Sequence, residues 1–316
     1  MFYDLRKPKD YILLYLKGIG MGAADVVPGV SGGTVAFITG IYDELLHSIN
    51  SVNLEALKLL RAGNFVELWR KINGNFLACV FAGIATSLIS LAKLVTYLLE
   101  HHPILIWSFF FGLILISAPL VLREIKKWNL SVVVMFFAGA GIAYAVTVLS
   151  PTQSPEAVWF VFFAGSLAIC AMILPGISGA FILLLIGKYQ YMVTALLNFN
   201  IPVILVFMLG CAVGLVSFAK LLSWVLDKYH SATVALLAGF MIGSLNKVWP
   251  WREVLEFVTN SKGEQVPAFD KSILPWDYLA TTGKDPQVFQ AILMMALGVF
   301  IVVLIEKIAV RLKTKI

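Results

Sequence analysis

The sequence predicts an all-α polytopic membrane protein: an inverted-topology repeat with two re-entrant broken-helix hairpins and about six full transmembrane helices. Three observations predict it. The 316 residues are 60% hydrophobic and 13% charged, with a mean hydropathy of +0.89, whereas a soluble domain carries roughly 25% charge. Apolar runs of membrane-crossing length recur along the chain. Two of the longest are interrupted by the same sequence, Pro-Gly-x-Ser-Gly, at 28–32 and 175–179.

This composition excludes an ordinary soluble enzyme. The net charge of +6, from 24 Lys+Arg and 18 Asp+Glu, does not indicate nucleic acid, because the bases sit in short clusters between apolar runs, as in cytoplasmic loops of membrane proteins.

In chain order, the run at 11–16 behind Arg6, Lys7 and Lys9 has the outline of a signal peptide. The motif that follows it recurs later, so it is read as part of the first repeat, residues 11–122. That repeat holds a broken stretch at 11–49 and spans at 75–99 and 103–122. A span takes roughly 20 residues to cross about 30 Å of hydrocarbon. A linking helix follows at 130–149. The second repeat, 158–249, holds a broken stretch at 158–197 and spans at 201–226 and 232–248. An outer loop at 250–287 leads to a final helix and basic tail at 288–316. In each broken stretch proline removes a backbone donor and glycine permits open backbone, which predicts two half-helices around an unwound loop. Between 50 and 73, Leu54, Leu57, Leu60, Phe65 and Trp69 alternate with Lys58, Arg61, Arg70 and Lys71, an amphipathic surface helix broken at Gly63-Asn64.

Orientation follows from the bases. With both termini cytoplasmic, cytoplasmic segments hold fifteen Lys/Arg and the outer loop four, beside six acids. Five more, Lys17, Lys93, Lys188, Lys220 and Lys247, fall within or at the edge of membrane segments.

The halves align. Residues 28–42 match 175–189 at an offset of 147 with six of fifteen identical, and 83–100 match 210–227 at an offset of 127 with eight of eighteen identical. Matched Pro, Gly, Ser and Lys are poorly explained by the general likeness of membrane helices. The linking helix flips the chain between the copies, so the repeat is inverted, the usual build of secondary transporters.

The loop at 20–34 would present backbone N–H groups of Gly32, Gly33 and Thr34 at a half-helix start, beside the Ser31 and Thr34 hydroxyls. Such a nest suits a phosphate. Ser178 and Gly179 stand in the same role in the second copy. The alternative is a glycine-rich kink needed only for packing. Asp25, with Met172 at its repeat position, is a candidate proton carrier because an ionisable group at membrane depth is costly; a loop-capping carboxylate is the other reading. Lys93 and Lys220 correspond across the repeat and would greet an anionic head group at opposite leaflets, although snorkelling explains either alone. Cys79, Cys170 and Cys211 lie in apolar runs, and His47, His101, His102 and His230 show no ligand spacing. No metal or cofactor is expected.

The sequence at 22–45, Gly-Ala-Ala-Asp-Val-Val-Pro-Gly-Val-Ser-Gly-Gly-Thr-Val-Ala-Phe-Ile-Thr-Gly-Ile-Tyr-Asp-Glu-Leu, resembles the bacterial polyprenyl-phosphate transporter family, as does Ile-Leu-Pro-Gly-Ile-Ser-Gly at 173–179. The resemblance implies a flippase of the cytoplasmic membrane that returns undecaprenyl phosphate, the carrier lipid of cell-wall synthesis, to the inner leaflet. A proton or sodium gradient through Asp25 is the expected coupling. The rival readings are a membrane phosphatase acting on undecaprenyl pyrophosphate and a small-anion transporter. The phosphatase needs an arginine and clustered glutamates beside its serine. Here Ser31 is followed by two glycines and no glutamate cluster lies in a membrane segment, so an enzyme is not expected.

Overall fold

The computed structural model describes residues 6–25, 31–90, 92–149, 155, 157–259 and 265–313. The first broken stretch forms α1 (Pro8–Asp25), α2 (Gly32–Ile38) and α3 (Tyr42–Asn50). The Lys7 N–H donates to the Asp10 carboxylate across 2.8 Å and closes the first turn of α1. Gly40, at φ +69°, turns the chain from α2 into α3, a conformation that suits glycine. Lys17 Nζ donates to the Thr39 carbonyl across 2.7 Å, placing a cation at the C-terminal end of α2 where carbonyls lack partners. Arg6 pairs with Glu44. The chain thus leaves along α1 and comes back to its starting end by α3.

Next come α4 (Leu54–Arg61) and α5 (Phe65–Lys71). Asn53 and Asn64 cap them, and Gly63 at φ +70° makes the break between them. Leu54, Leu57, Leu60, Phe65 and Trp69 are exposed, as an amphipathic surface segment requires. The expected span at 75–99 is described as α6 (Gly74–Ser90) and α7 (Ala92–His101), on either side of residue 91, which lies outside the described residues; α8 (Pro103–Leu122) and α9 (Leu130–Val148) follow.

The second broken stretch forms α10 (Val158–Ile173), α11 (Gly179–Leu185) and α12 (Tyr189–Leu197). α11 and α12 have the same lengths as α2 and α3, each shifted by 147 residues. Next comes α13 (Ile201–Ser244), two helical arms joined across a kink where two spans are expected. Its 44 residues would reach roughly 66 Å at a rise of about 1.5 Å each, twice the hydrocarbon thickness of about 30 Å. Its backbone leaves the helical region at Tyr229 (φ −129°, ψ 44°), between the two expected spans.

Residues 250–287, expected as a loop, contain an antiparallel hairpin of β1 (Arg252–Thr259) and β2 (Gln265–Ser272) and then α14 (Pro275–Thr282). The chain continues into α15 (Val288–Lys313). Among the described residues three helices, α8, α9 and α13, are long and apolar enough to cross a bilayer, fewer than the six expected. That count takes α13, which kinks at Tyr229 between two of the expected spans, as a single helix.

Glycine seams hold the bundle together. A methyl group on Gly18 would overlap the Val80 carbonyl, and one on Gly83 the Tyr15 carbonyl, where α1 meets α6. Where α10 meets α13, Gly165 faces the Phe207 carbonyl and Gly210 the Phe162 carbonyl. Small residues allow such close backbone approach. The second set of contacts is the first shifted by 147 on one helix and 127 on the other, the same two offsets that align the sequence. At one end of the bundle α3 reaches α13, with Asn50 Nδ2 donating to the Ala219 carbonyl across 3.2 Å. At the other end Asn246 donates to Thr147 across 2.7 Å, and Trp251, Tyr278, Ile104 and Ala291 form a separate small core.

Candidate functional site

The start of α2 meets the end of α10 and the turn after it in the interior. Ser31 is the N-cap of α2, in extended backbone (φ −127°, ψ 134°), and its Oγ accepts from the Gly33 N–H at 3.1 Å. The same hydroxyl donates across 2.7 Å to the carbonyl of Met172, at the end of α10. In return, the Gly176 N–H donates to Thr34 Oγ1 at 2.9 Å. The Tyr42 hydroxyl donates to the Ile173 carbonyl at 3.1 Å. Ser31, Gly33 and Thr34 are buried, and a methyl on Gly33 would overlap the Ile173 carbonyl. Gly176 takes φ +84° against Phe240 and Met241 of α13.

Asp25 lies at this junction. Its Oδ1 accepts from the Gly32 N–H at 2.7 Å, and a methyl on Gly32 would meet the same carboxylate. One donor expected to face an anion is therefore occupied by an anion of the protein itself. In the second copy, Ser178 caps α11 and its Oγ accepts from the Phe181 N–H at 3.4 Å. Gly179 lies against the Ala168 carbonyl. Residues 26–30, which include the first proline of the motif, lie outside the described residues.

Lys220 is exposed on α13 and lines a cavity of about 730 Å³ with His47, Asn50, Ser223 and Asp227. Lys93 belongs to α7, and its side chain lies outside those described. The structure does not bring Lys220 to the Ser31–Met172 junction; its neighbours are on α3 and the stretch leading to α4.

Several participants were not singled out in the sequence. Tyr42 is one, and its identity with Tyr189 across the repeat is the signal that finds it. The backbone carbonyls of Met172 and Ile173 carry no sequence signal. Lys188, one of the five lysines read within or at the edge of membrane segments, is buried, with its ammonium 5.0 Å from the Tyr191 ring and 5.7 Å from that of Phe160. Lys247 stacks over Phe181 of α11 at 4.7 Å and pairs with Asp270 of the hairpin, which also holds Arg252. Cys170 and Cys211 are free thiols in the α10–α13 seam. Among the described residues no three His, Cys, Asp or Glu side chains form a metal-holding group.

A family model described as undecaprenyl phosphate translocase-like matches residues 21–266. The chain belongs to this family. Among its relatives, a protein of Vibrio cholerae named polyprenyl-phosphate transporter is 48% identical over 96% of this chain and 98% of its own length. One of the same name from Staphylococcus aureus is 34% identical over 74% of this chain and 85% of its own. No solved structure matches the chain. The region matched to the translocase-like family starts near the end of α1, contains the rest of the first broken stretch, the whole of the second and the residues lining the Lys220 cavity, and ends within β2. The apolar helices and the transporter relatives together make this a membrane protein.

Proposed function

We propose that the protein is a flippase carrying undecaprenyl phosphate across the bacterial cytoplasmic membrane, so that the carrier lipid is reused for cell-wall polymers. The observation that carries this reading is the junction where Ser31 reaches Met172 and Gly176 reaches Thr34. Unwound backbone at membrane depth is tolerated where it is buried in protein or lines a polar path, and paired broken helices are where transporters place their substrates.

In this reading residues 11–122 and 158–249 are inverted copies, and the hairpins α1–α2 and α10–α11 enter and leave the membrane from opposite sides. The matched glycine seams support duplication. The His47–Asp227 approach of 4.0 Å supports inversion, because the first half of α13 ends where α1 begins. The excess of bases supports cytoplasmic termini.

The anionic head would pass Ser31, Gly32, Gly33 and Thr34 on one side and Ser178 and Gly179 on the other, while the tail stays in lipid. Lys93 and Lys220 meet the head at opposite faces. Asp25 holds the Gly32 N–H until it is protonated, and an arriving phosphate then takes that donor, which couples transport to a proton gradient. The relatives' names support a polyprenyl phosphate as substrate, and no step in this scheme makes or breaks a covalent bond of the lipid.

The test is reconstitution of the pure protein in liposomes with short-chain polyprenyl phosphate in one leaflet. Transfer faster than in empty liposomes, reduced by Ser31→Ala, is the expected result. Equal rates with folded protein would overturn the proposal.

A further inference from the structure

The short helices α4 and α5 leave a large apolar side uncovered. Leu54 is 77% exposed and Phe65 and Val66 are each 65% exposed, with Leu57, Leu60 and Trp69 exposed beside them. At about 3.6 residues per turn, Leu54, Leu57 and Leu60 share one side of α4, and Phe65, Val66 and Trp69 share one side of α5. The other side packs, with Ala56 buried and Leu59 and Leu68 half-buried. The pair is held where it is. Asn53 Oδ1 accepts from the Glu55 and Ala56 N–H groups at 3.0 and 3.2 Å, and Asn64 Oδ1 accepts from the Glu67 N–H at 3.4 Å. Lys71 pairs with Glu55, tying the end of α5 to the start of α4. The Trp69 indole N–H donates to Asn75 Oδ1 across 2.8 Å, and a methyl on Gly74 would overlap its ring, so α5 is seated on the first turn of α6.

The charges are sorted by side. Lys58 follows Leu54, Arg61 follows Leu57 and Arg70 follows Val66, each by four residues, the spacing that puts two side chains on one face. All three bases are exposed. No ion pair among the described residues includes Arg61 or Arg70. Glu55 and Glu67 stand two residues from Leu57 and from Phe65 and Trp69, which turns them to the other side of their helices. The exposed surface is therefore apolar with a rim of cations, whose stems can lie along the apolar strip while their heads stay in water. A partner that fits is apolar beneath and negatively charged at its surface. A leaflet containing anionic phospholipid has both properties. A leaflet of zwitterionic lipid lacks the net charge, and an acidic protein lacks the continuous apolar layer.

We propose that α4 and α5 form a docking surface for anionic phospholipid, with the apolar side among the acyl chains and Lys58, Arg61 and Arg70 at the head-group phosphates. The phospholipid is a standing partner of this surface and is not carried. Leu54 and Leu57 also line the cavity beside Lys220, so the mouth of that cavity borders the same lipid. Placing the surface in the cytoplasmic leaflet rests on the orientation in the transport reading; its chemistry does not.

The experiment follows amide hydrogen exchange of residues 54–71 in the full chain, placed in lipid nanodiscs of phosphatidylcholine with and without phosphatidylglycerol. Phosphatidylglycerol should slow exchange across α4 and α5. The slowing should fall about fivefold for each of Arg61→Gln and Arg70→Gln, the weight of one cation at an anionic surface, and should persist in Arg61→Lys, which keeps the charge. It should fade in about 1 M salt, where the Debye length is about 3 Å. Both arginines are exposed and outside the ion pairs, so the glutamine variants should keep the wild-type Tm. Equal exchange in the two kinds of disc would overturn the proposal, as would a phosphatidylglycerol effect that survives in the double glutamine variant. Slowing that appears only in discs holding two copies of the chain would overturn it in favour of a self-association surface. Phosphatidylglycerol-dependent protection in a protein that moves no polyprenyl phosphate would sustain this surface and sink the transport reading. Transport without that protection would do the reverse.

Discussion

Ser31 Oγ donates to the carbonyl of Met172 across 2.7 Å, joining residues 141 positions apart in the chain. The same oxygen caps α2 through the Gly33 N–H. Ser31→Ala removes both bonds and takes from the Met172 carbonyl its serine donor, which should cost about 1 to 3 kcal/mol. The expected outcome is a lower Tm in detergent and slower lipid transfer in liposomes. Ser31→Thr keeps the hydroxyl and should restore most of the stability. Equal Tm values for Ser31→Ala and wild type would show that the junction contributes nothing to the fold.

Glycines divide sharply by surroundings. A methyl on Gly33 would overlap the Ile173 carbonyl, and one on Gly139 of α9 the Leu236 carbonyl, whereas one on Gly141, two residues along the same helix, meets nothing within 4 Å. Gly33→Ala and Gly139→Ala should each destabilise by about 1 to 3 kcal/mol or more, since backbone must move to make room. Gly141→Ala should leave Tm unchanged or raise it, by up to about 1 kcal/mol of helix preference. Thermal midpoints of the three variants decide the matter, and a fall for Gly141→Ala comparable to the others would contradict the seam geometry.

What the sequence made legible was local. Pro and Gly at 28–32 and 175–179 mark breaks because their chemistry acts on their own backbone, whereas Ser31 and Ser178, read as donors to an anion, cap α2 and α11 in the structure. Gly63-Asn64 marked the division between α4 and α5. The pairing of Ser31 with Met172 was not legible, because it joins a side chain to a distant carbonyl that any residue could supply. The kink at Tyr229 carries neither Pro nor Gly, yet it falls between the apolar runs at 201–226 and 232–248, where the length of the two runs placed a break. Asp25 was legible as a costly charge, but its bond to Gly32 depends on where the loop folds. Lys220 was legible through its repeat partner Lys93, while its neighbours His47 and Asn50 become visible only once α3 packs on α13.

Asp25 offers a way to separate capping from proton carriage. Asp25→Asn keeps an oxygen able to accept from the Gly32 N–H, now at 2.7 Å from the carboxylate, but it removes the ionisable group. If Asp25 carries the coupling proton, this variant folds with near wild-type Tm yet loses acceleration of lipid transfer by an imposed pH gradient. Asp25→Ala, which removes the acceptor too, should lose Tm as well. A wild-type gradient response in Asp25→Asn would confine the residue to capping.

The hairpin clasp gives a prediction in pH. Asp270 accepts from Arg252 at 2.8 Å and from Lys247 at 3.1 Å. Burial alone pushes its carboxyl up, but the Arg252 hydrogen bond and the charges of Lys247 and Arg252 outweigh it and hold the carboxyl below its ordinary value. A carboxyl depressed in the folded state stabilises above its unfolded value, and that contribution is lost as pH falls through the folded one. Acidification should therefore lower the Tm of wild type as Asp270 takes up a proton and Lys247 and Arg252 lose their shared partner. Asp270→Asn should start from a lower Tm near neutral pH, because it leaves two partly buried cations together, and should show less of the acid-dependent fall. Parallel Tm profiles for the two proteins across the acidic range would mean that the clasp does not carry this part of the stability.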